Sequence, residues 1–527
     1  MRNLLARARS DGKTNPWVIA LTVMLATFME VLDTSVANVS LPHIAGDLSA
    51  GVDESTWVLT SYLVSNAVVL PLTGWFSTLF GRKRFYMTCV VIFTVSSFLC
   101  GMAPSLGLLV FFRVLQGAGG GALQPISQAI LAESFPPERR GMAMAIYGMG
   151  VVVAPIVGPT LGGWITDNYS WHWIFFINIP VGLLSLAMTS LLVFDPPYLK
   201  RKSLREGAHI DFIGLGLLAV GVGFLQVVLD KGQREDWFGS NFIVWCSIVA
   251  AVGLIGAILW ELGKDDPIVD LRILKDRNFA LATLTMFMLG LVLYGSMVLL
   301  PIFLQTLMGY TAMQSGLVLS PGALVSLFML PLVGHLLRRV EPRRLIMLGL
   351  LITSMSLFYM ANFNLDIDFR TAVIARVIQG FGLSFLFVPI NTVAFNFIPR
   401  DKINNATGII NLARNIGGSF GIAAVTTLLA RRAQFHQNVL VSHLTPLDFG
   451  YQAALQRATA FLAQQGSGAA QAAAQAQALL YGSLNRQAMA LAFVDDFWLM
   501  AVVILVLIPL PFLLKKVRSE KGPAPVS

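Results

Sequence analysis

The pentapeptide Arg113-Val114-Leu115-Gln116-Gly117 recurs 263 residues later as Arg376-Val377-Ile378-Gln379-Gly380. A second pair of segments, residues 71–74 and 331–334, shares the pattern Pro-Leu-x-Gly at an offset of 260 residues, and basic residues follow both copies. Self-similarity at a fixed offset marks duplicated structural units. Two matches at nearly one offset therefore predict that the chain consists of two similar halves.

The composition around these repeats is that of a membrane protein. Hydrophobic residues make up 56% of the 527 residues and charged residues only 12%, about half the charged share of soluble domains. The apolar residues form blocks of roughly twenty, each long enough to cross a ~30 Å hydrocarbon core as a helix. Continuous apolar blocks favour helices over the alternating strands of a membrane barrel.

These blocks predict an all-α polytopic membrane protein with fourteen transmembrane helices. The repeat groups them into an N-terminal six-helix half at 17–194 and a C-terminal six-helix half at 279–515, joined by a linker at 195–278 with two extra helices. Parallel halves that hold a substrate between them are typical of the major-facilitator fold. The predicted spans are residues 17–38, 56–78, 84–103, 107–133, 139–166, 171–194, 210–230, 240–261, 280–305, 314–338, 343–363, 369–396, 405–430 and 493–515.

The distribution of basic residues predicts the orientation. With the N-terminus inside, 27 of the 37 lysines and arginines lie in cytoplasmic segments and seven in outer connections, as the positive-inside rule requires. Segments 1–16 and 516–527 are then cytoplasmic tails of a bacterial inner-membrane protein. The net charge of +9 is explained by this asymmetry, so no nucleic-acid partner is implied.

One outer connection, residues 431–492, is long and rich in Ala and Gln. These are good helix formers, and Gly466-Ser467-Gly468 would divide the segment into two helices. The segment is either a solvated helical hairpin without a role of its own or a docking surface for a partner outside the membrane.

Three ionisable residues within the predicted spans are the candidate coupling site. Glu30 and Asp33 lie three residues apart on the first span, ~20 and ~24 Å from its cytoplasmic end, and Arg113 lies ~10 Å inward from the outer end of the fourth. In a ~30 Å core these depths nearly coincide, so the three side chains are predicted to meet. Charges inside a membrane are costly and usually functional.

Burial disfavours the charged form of a carboxylate and a nearby cation favours it. An arginine or cationic substrate that approaches or leaves could therefore switch a proton on and off, which makes the proton gradient the expected energy source, with no cofactor. The alternative is a structural ion pair between the first and fourth spans. The remaining candidates, as residues lining a substrate cavity, are Gln116, Asn391, Arg376 and Arg414; the two arginines lack an acidic partner in their own half and would bond to backbone or to polar groups such as Asn391 and Asn411.

These segments resemble the fourteen-span drug:proton antiporters of the EmrB type within the major facilitator superfamily. Residues 32–42 are similar to the first-span motif, residues 113–117 to the fourth-span motif linked to proton coupling, and Gly158-Pro159 with Gly162-Gly163 to the antiporter motif of the fifth span. The conformational motif of the loop after the second span is represented by Gly74, Gly81, Arg82 and Lys83. Two positions depart from the family pattern: Thr78 replaces an acidic residue, and Ala154 stands where Gly is frequent.

The resemblance implies proton-coupled export of lipophilic or amphipathic compounds, with a periplasmic adaptor and an outer-membrane channel as partners. A narrow-substrate exporter of the same fold, for a siderophore, lipid or metabolite, remains the alternative. The fifth-span glycines and prolines are either ordinary helix packing or a hinge that controls leak. An ATP-driven pump is disfavoured because Arg7 replaces the first glycine of a phosphate-binding loop before Gly12-Lys13-Thr14, and the three cysteines and six histidines show no metal-ligand spacing.

Overall fold

The computed structural model of the chain describes residues 9–10, 13–195, 211–264, 267–396, 398–399, 402–442, 444–445, 448–465 and 468–515. The predicted C-terminal tail, most of the N-terminal tail and the pair Gly466-Ser467 lie outside these residues. The described chain is helical apart from one pair of two-residue strands, Arg9–Ser10 and Lys13–Thr14. The predicted all-α class is confirmed.

Fourteen long helices correspond to the fourteen predicted spans, and the last two extend into the predicted outer connection 431–492. The N-terminal half contains α1 Pro16–Asp47, α2 Trp57–Phe80, α3 Arg82–Cys100, α4 Leu106–Ser134, α5 Pro137–Asn168 and α6 Trp173–Leu192. The inserted pair is α7 Phe212–Lys231 and α8 Asn241–Gly263. The C-terminal half contains α9 Arg277–Leu307, α10 Ala312–Leu336, α11 Pro342–Met360, α12 Phe369–Asn396, α13 Ile403–Val441 and α14 Ala469–Leu507.

Across the described residues, thirteen of these helices are long and apolar enough to cross a membrane. The exception is α13, which has 39 residues but buries polar groups such as Asn404, Asn411 and Arg414 along its length. It packs along α9 and α14, so its polar residues face protein rather than lipid, where they would be expensive.

The two halves repeat the same packing pattern. In the first half, α1 packs along α5, and α4 packs along α2 and α3. In the second half, α9 packs along α13, and α12 packs along α10 and α11. The internal repeat of the sequence is therefore a repeat of structure, as the major-facilitator fold requires.

The halves meet along two seams, α5 with α10 and α2 with α13. Both seams are tight at the end of the bundle that carries Arg82, Arg338 and Arg339, called here the basic end. A Cβ added at Gly74 of α2 would lie 2.8 Å from the Cα of Asn405 on α13, and one at Gly334 of α10 would lie 3.0 Å from the Gly141 carbonyl of α5.

Farther along α5 and α10, the two helices border a shallow surface cleft of about 430 Å³. It is lined by Val157, Thr160, Leu161, Trp164 and Ser320. The contacts at Gly74 and Gly334 close both seams at the basic end, as one of the two states of alternating access requires.

The inserted helix α7 covers the other seam. Near its end, Asp230 accepts a hydrogen bond from Thr60 of α2, and Lys231 donates one to Thr56. Gln226 of α7 bonds to Ser419 of α13 at 2.7 Å. Helix α7 thus contacts both halves beside the α2–α13 seam.

Candidate proton-coupling site

Asp33 and Arg113 form an ion pair inside the N-terminal half. The Asp33 Oδ2 atom lies 2.5 Å from Arg113 Nη1, and both side chains are fully buried. Arg113 also donates from Nε to the Val58 carbonyl at 3.0 Å. Because two buried charges need each other and further hydrogen bonds to offset their loss of water, this pair is a strongly constrained element of the fold.

Two amides complete the surroundings of Asp33. Gln116 and Asn178 each donate to its Oδ1 atom at 2.8 Å. The Gln116 carbonyl oxygen in turn accepts from Arg113 Nη1 at 2.8 Å. Arg113 Nη2 is the guanidinium nitrogen without a hydrogen-bond partner in the described structure. Gln116, predicted as a cavity residue, therefore belongs to this buried network instead.

Glu30 does not join the ion pair, so the expectation that both carboxylates meet Arg113 is wrong in this respect. Three residues advance an α-helix by about 300°, which leaves side chains at that spacing some 60° apart. That angle turns Asp33 into the bundle and Glu30 towards the interface between the halves. Glu30 accepts hydrogen bonds from Tyr62 Oη at 3.3 Å, Asn66 Nδ2 at 3.2 Å and Gln124 Nε2 at 2.6 Å.

Tyr62 of α2 lies between the two carboxylates. Its hydroxyl donates to Glu30, while the Arg113 guanidinium carbon lies 4.3 Å from its ring centroid. A cation over an aromatic face is attracted by the ring electrons. A change of charge at either carboxylate is thus transmitted to one shared side chain.

Gln124 of α4 links Glu30 to the other half. Its Nε2 donates to Glu30, and its Oε1 accepts from Arg414 of α13. The hydroxyl of Tyr147 donates to the same oxygen at 3.3 Å. Nearby, Asn411 Nδ2 donates to Gln128 at 2.7 Å, a second amide bridge between the halves.

The other predicted cavity residues have local partners. Arg376 of α12 is buried and donates to Gln379, the same spacing as Arg113 and Gln116 in the first half. Asn391 donates to the Phe387 carbonyl at 2.8 Å, and its Oδ1 atom has no partner among the residues described. Only Arg414 of this set reaches across the interface to a group that contacts Glu30.

The antiporter-motif glycines of α5 pack against α1. A Cβ at Gly158 would lie 2.3 Å from Ser35 Oγ, and one at Gly162 would lie 2.9 Å from Val36 Cγ1. Gly163 has no atom within 4 Å of such a position. Pro159 lies inside the helix. The first two glycines therefore allow α5 to approach the helix that carries Glu30 and Asp33.

The loop between α2 and α3 is anchored to the ends of α4 and α6. Gly81 has φ +82°, a conformation that favours glycine. Arg82 forms an ion pair with Glu133 at the end of α4, and the Lys83 backbone amide donates to Asp195 at 2.7 Å. Thr78 donates to the Trp75 carbonyl at 2.7 Å, so the family's charged position is a local helix contact here.

Four residues of the site were not predicted from the sequence: Tyr62, Asn66, Gln124 and Asn178. Each places a polar group within an otherwise apolar span, which is a detectable signal because buried polar groups require partners. None of the four carries a charge, so a search for charged residues within apolar spans does not select the phenol of Tyr62 or the three amides. In the part of the chain that the structure describes, no group of three or more His, Cys, Asp or Glu could hold a metal ion.

Gly74→Ala is expected to weaken closure at the basic end, because the added methyl group would collide with the backbone of Asn405, which cannot rotate away. The native cysteines are buried, so a cysteine introduced by Leu337→Cys, next to Gly141 in the α5–α10 seam at the same end, reports closure of the basic end by its rate of thiol labelling. We expect faster labelling with Gly74→Ala than without it. Gly316→Ala, where no atom lies within 4 Å, is the matched control, and equal rates in all three proteins would contradict the prediction.

Two similar six-helix halves with buried charged groups at and beside their interface define a membrane transporter. Residues 23–422 match the model of the family described as Major Facilitator Superfamily. The chain belongs to this superfamily.

Two individual members of the superfamily are similar to this chain over most of its length. The multidrug export protein EmrB of Haemophilus influenzae is 40% identical over 432 residues, which cover 82% of this chain and 84% of that protein. The fatty acid resistance protein FarB of Neisseria gonorrhoeae is 38% identical over 508 residues, covering 96% and 97%. The predicted resemblance to EmrB-type proteins is confirmed.

A solved structure shows the same fold. The proton:xylose symporter XylE superposes with a TM-score of 0.59 at 14% identity, over 94% of this chain and 96% of that chain. At so low an identity the likeness concerns the fold, which hosts many unrelated substrates. The particular chemistry of this chain must be argued from its own site.

Proposed function

We propose that this protein exports lipophilic or amphipathic compounds across the bacterial inner membrane in exchange for protons. The observation that carries the proposal is the chain of contacts from Glu30 through Gln124 to Arg414, beside the buried pair of Asp33 and Arg113. Relatives named for multidrug export and fatty acid resistance support the direction of transport and the lipophilic substrate class.

Glu30 is the group that couples a proton to the interface. Three donors surround it, an arrangement that suits an ionised carboxylate. A proton on Glu30 removes its negative charge and one of its acceptor sites, so the bond from Gln124 weakens. Gln124 then holds Arg414 less firmly, and the halves separate more easily at this point.

Asp33 has a different part in the cycle. It is enclosed by Arg113, Gln116 and Asn178 and has no water-exposed surface to exchange a proton in this state. We propose that it titrates when α1 moves relative to α4 and Arg113 withdraws. Tyr62, in contact with both Glu30 and Arg113, transmits the change from one carboxylate to the other.

The interface contains charged residues of both signs, so it suits either a cationic or an anionic substrate. Glu30 suits a lipophilic cation, whereas Arg414 suits an amphipathic anion such as a fatty acid carboxylate. The relative named for fatty acid resistance favours the second substrate class as a specific candidate. Export of one such narrow class is the alternative to multidrug transport.

The outer segment is proposed as the contact for a periplasmic adaptor, which would in turn engage an outer-membrane channel. It is built from the outer end of α13, the external helix Phe449–Gln464 and the first half of α14. Large apolar side chains are exposed there, with Phe449 87% and Phe461 58% accessible. Exposed apolar patches outside the membrane mark interaction surfaces. If this segment lies outside the membrane on the periplasmic side, both termini lie in the cytoplasm.

Uptake of a fluorescent lipophilic cation into everted inner-membrane vesicles tests the proposed function. We expect accumulation on energisation with the wild-type protein and its loss on addition of a protonophore. A fluorescent fatty acid, assayed in parallel, separates the two substrate classes. Accumulation that persists after the gradient has collapsed would contradict proton coupling.

Glu30→Gln is expected to remove proton-driven transport while leaving substrate binding intact. The amide keeps the size of the side chain and an oxygen acceptor for Gln124, but it cannot exchange a proton. Binding of a fluorescent fatty acid, whose carboxylate would pair with Arg414 rather than with Glu30, should stay within about twofold of wild type in detergent. Its gradient-driven uptake should fall by at least about tenfold, a change of about 1.4 kcal/mol in the coupled step. Equal uptake by both proteins would assign Glu30 a structural role.

A further inference from the structure

A carboxylate in the C-terminal half has no partner. Asp496 of α14 has no exposed surface, and neither of its oxygens has a hydrogen-bond partner in the described structure. An isolated ionised carboxylate in an apolar interior costs so much free energy that the group becomes neutral instead. This side chain takes no part in the contacts of Glu30 and Asp33 described above.

The surroundings of Asp496 are apolar on one side and charged on the other. Phe497 contacts Phe363 with ring centroids 6.2 Å apart, and Phe493 contacts Phe303 at 5.4 Å. These aromatic rings come from α14, α9 and the loop after α11. Phe493 lies three residues before Asp496 and so on nearly the same face of α14, and Phe493 and Phe497 are both buried.

The neighbouring carboxylate, Asp495, is fully partnered. It accepts from Arg432 Nε at 2.5 Å and from His436 Nε2 at 2.7 Å, and its side chain is 31% accessible. The cations on α13 that could neutralise Asp496 are thus engaged by Asp495. Adjacent acidic residues therefore have opposite environments, one paired at the surface and one unpaired inside.

Asp496 lies well inside the membrane-spanning part of α14. It is eleven residues, or ~17 Å, from the end of that helix at Leu507. Helix α14 packs against α11 and α9, as α6 packs against α3 and α1, and α6 supplies Asn178 to the Asp33 site. The repeat offset of Arg376 from Arg113 places Ser296, not a carboxylate, opposite Asp33. In this half the buried acidic group lies on α14.

We propose that Asp496 is a second proton-carrying group and that it holds a proton in the state described here. Its O–H bond breaks when α14 and α13 rearrange, the proton passes to water, and the resulting carboxylate is stabilised by Arg432. The return step takes a proton from water, which reaches the partly exposed neighbour Asp495. The protonation of Asp496 does not depend on the proposed function, whereas its use in transport rests on the proposed proton coupling.

Infrared difference spectroscopy of the purified full-length protein tests the protonation directly. A protonated carboxyl group in an apolar site has a C=O stretching band separate from that of carboxylates, and this band shifts in deuterium oxide. We expect Asp496→Asn to lose one such band and Asp366→Asn, a control at an exposed carboxylate outside the transmembrane helices, to retain it. An unchanged carboxylic acid band in Asp496→Asn would overturn the proposal.

Proton counting tests the use of that proton. In proteoliposomes with a pH indicator inside, Asp496→Asn should move fewer protons per substrate than wild type, and Asp366→Asn should move the same number. Asp496→Glu should restore the wild-type ratio in part. An unchanged ratio in Asp496→Asn would overturn the coupling role. Failure of wild type to move protons would contradict the proposed function and leave the infrared result standing.

Discussion

Asp33→Asn should abolish gradient-driven transport and destabilise the protein. The substitution leaves Arg113, which is fully buried, without its counterion. Removing one partner of a buried ion pair costs about 3–5 kcal/mol, because the remaining charge stays in a low-dielectric site. The asparagine also cannot carry a proton. Thermal unfolding in detergent and dye uptake in everted vesicles measure the two effects separately.

The double variant Asp33→Asn with Arg113→Gln separates stability from coupling. It removes both charges, so much of the lost stability should return, since replacing both partners is far less costly than replacing one. Transport should not return, because the titratable group is still absent. Transport at the wild-type rate in the double variant would show that the pair is structural. The coupling role would then fall to Glu30 alone.

Gly158→Ala should have the second largest effect, through the packing of α5 on α1. The new methyl group would lie 2.3 Å from Ser35 Oγ and 2.5 Å from Ser35 Cβ, both far inside van der Waals contact. Overpacking of this kind costs typically about 1–3 kcal/mol. It also displaces the segment of α1 that holds Glu30 and Asp33. The rate of uptake should therefore fall by a larger factor than the loss of folded protein alone would cause.

Two further variants make that test specific. Gly163→Ala lies on the same helix with no atom within 4 Å and should behave as wild type. Ser35→Gly removes the colliding side chain and should rescue Gly158→Ala. If Gly158→Ala transports normally, or if Ser35→Gly fails to rescue it, close packing at this point does not position the carboxylates.

Helix periodicity and charge predict much of this structure. The fourteen helices, the two similar halves and the ion pair of Asp33 with Arg113 follow from apolar blocks, a repeat and matched depths along two helices. These are local properties, or properties of one half whose helices are neighbours. A buried arginine also has few stable alternatives to a carboxylate at its own depth.

Contacts between the halves cannot be predicted from helix periodicity and charge. The link from Glu30 through Gln124 to Arg414 depends on how two six-helix units dock, which no spacing in the sequence specifies. The 60° between Glu30 and Asp33 on one helix is small in sequence terms, yet it sends one side chain to the interface and the other to the bundle interior. The unpartnered state of Asp496 likewise depends on Arg432 and His436 selecting Asp495.

The two halves differ in the partners of their buried charged residues. The first half pairs Asp33 with Arg113, whereas Arg376 at the repeated position has Gln379 as its hydrogen-bond partner. A duplicated scaffold therefore carries unlike electrostatics. The first half thus contains the buried ion pair, and the second half contains Arg414, which crosses the interface to Gln124.

Proton flux driven by substrate tests the central claim most directly. Purified protein would be reconstituted in proteoliposomes with a pH indicator inside and no imposed gradient, and a lipophilic substrate would then be added outside. Proton-coupled exchange predicts that substrate entry drives protons out, so the interior becomes alkaline, with the change absent in Glu30→Gln. Substrate entry without any change of internal pH would contradict antiport, and an acid change would indicate that substrate and proton move together.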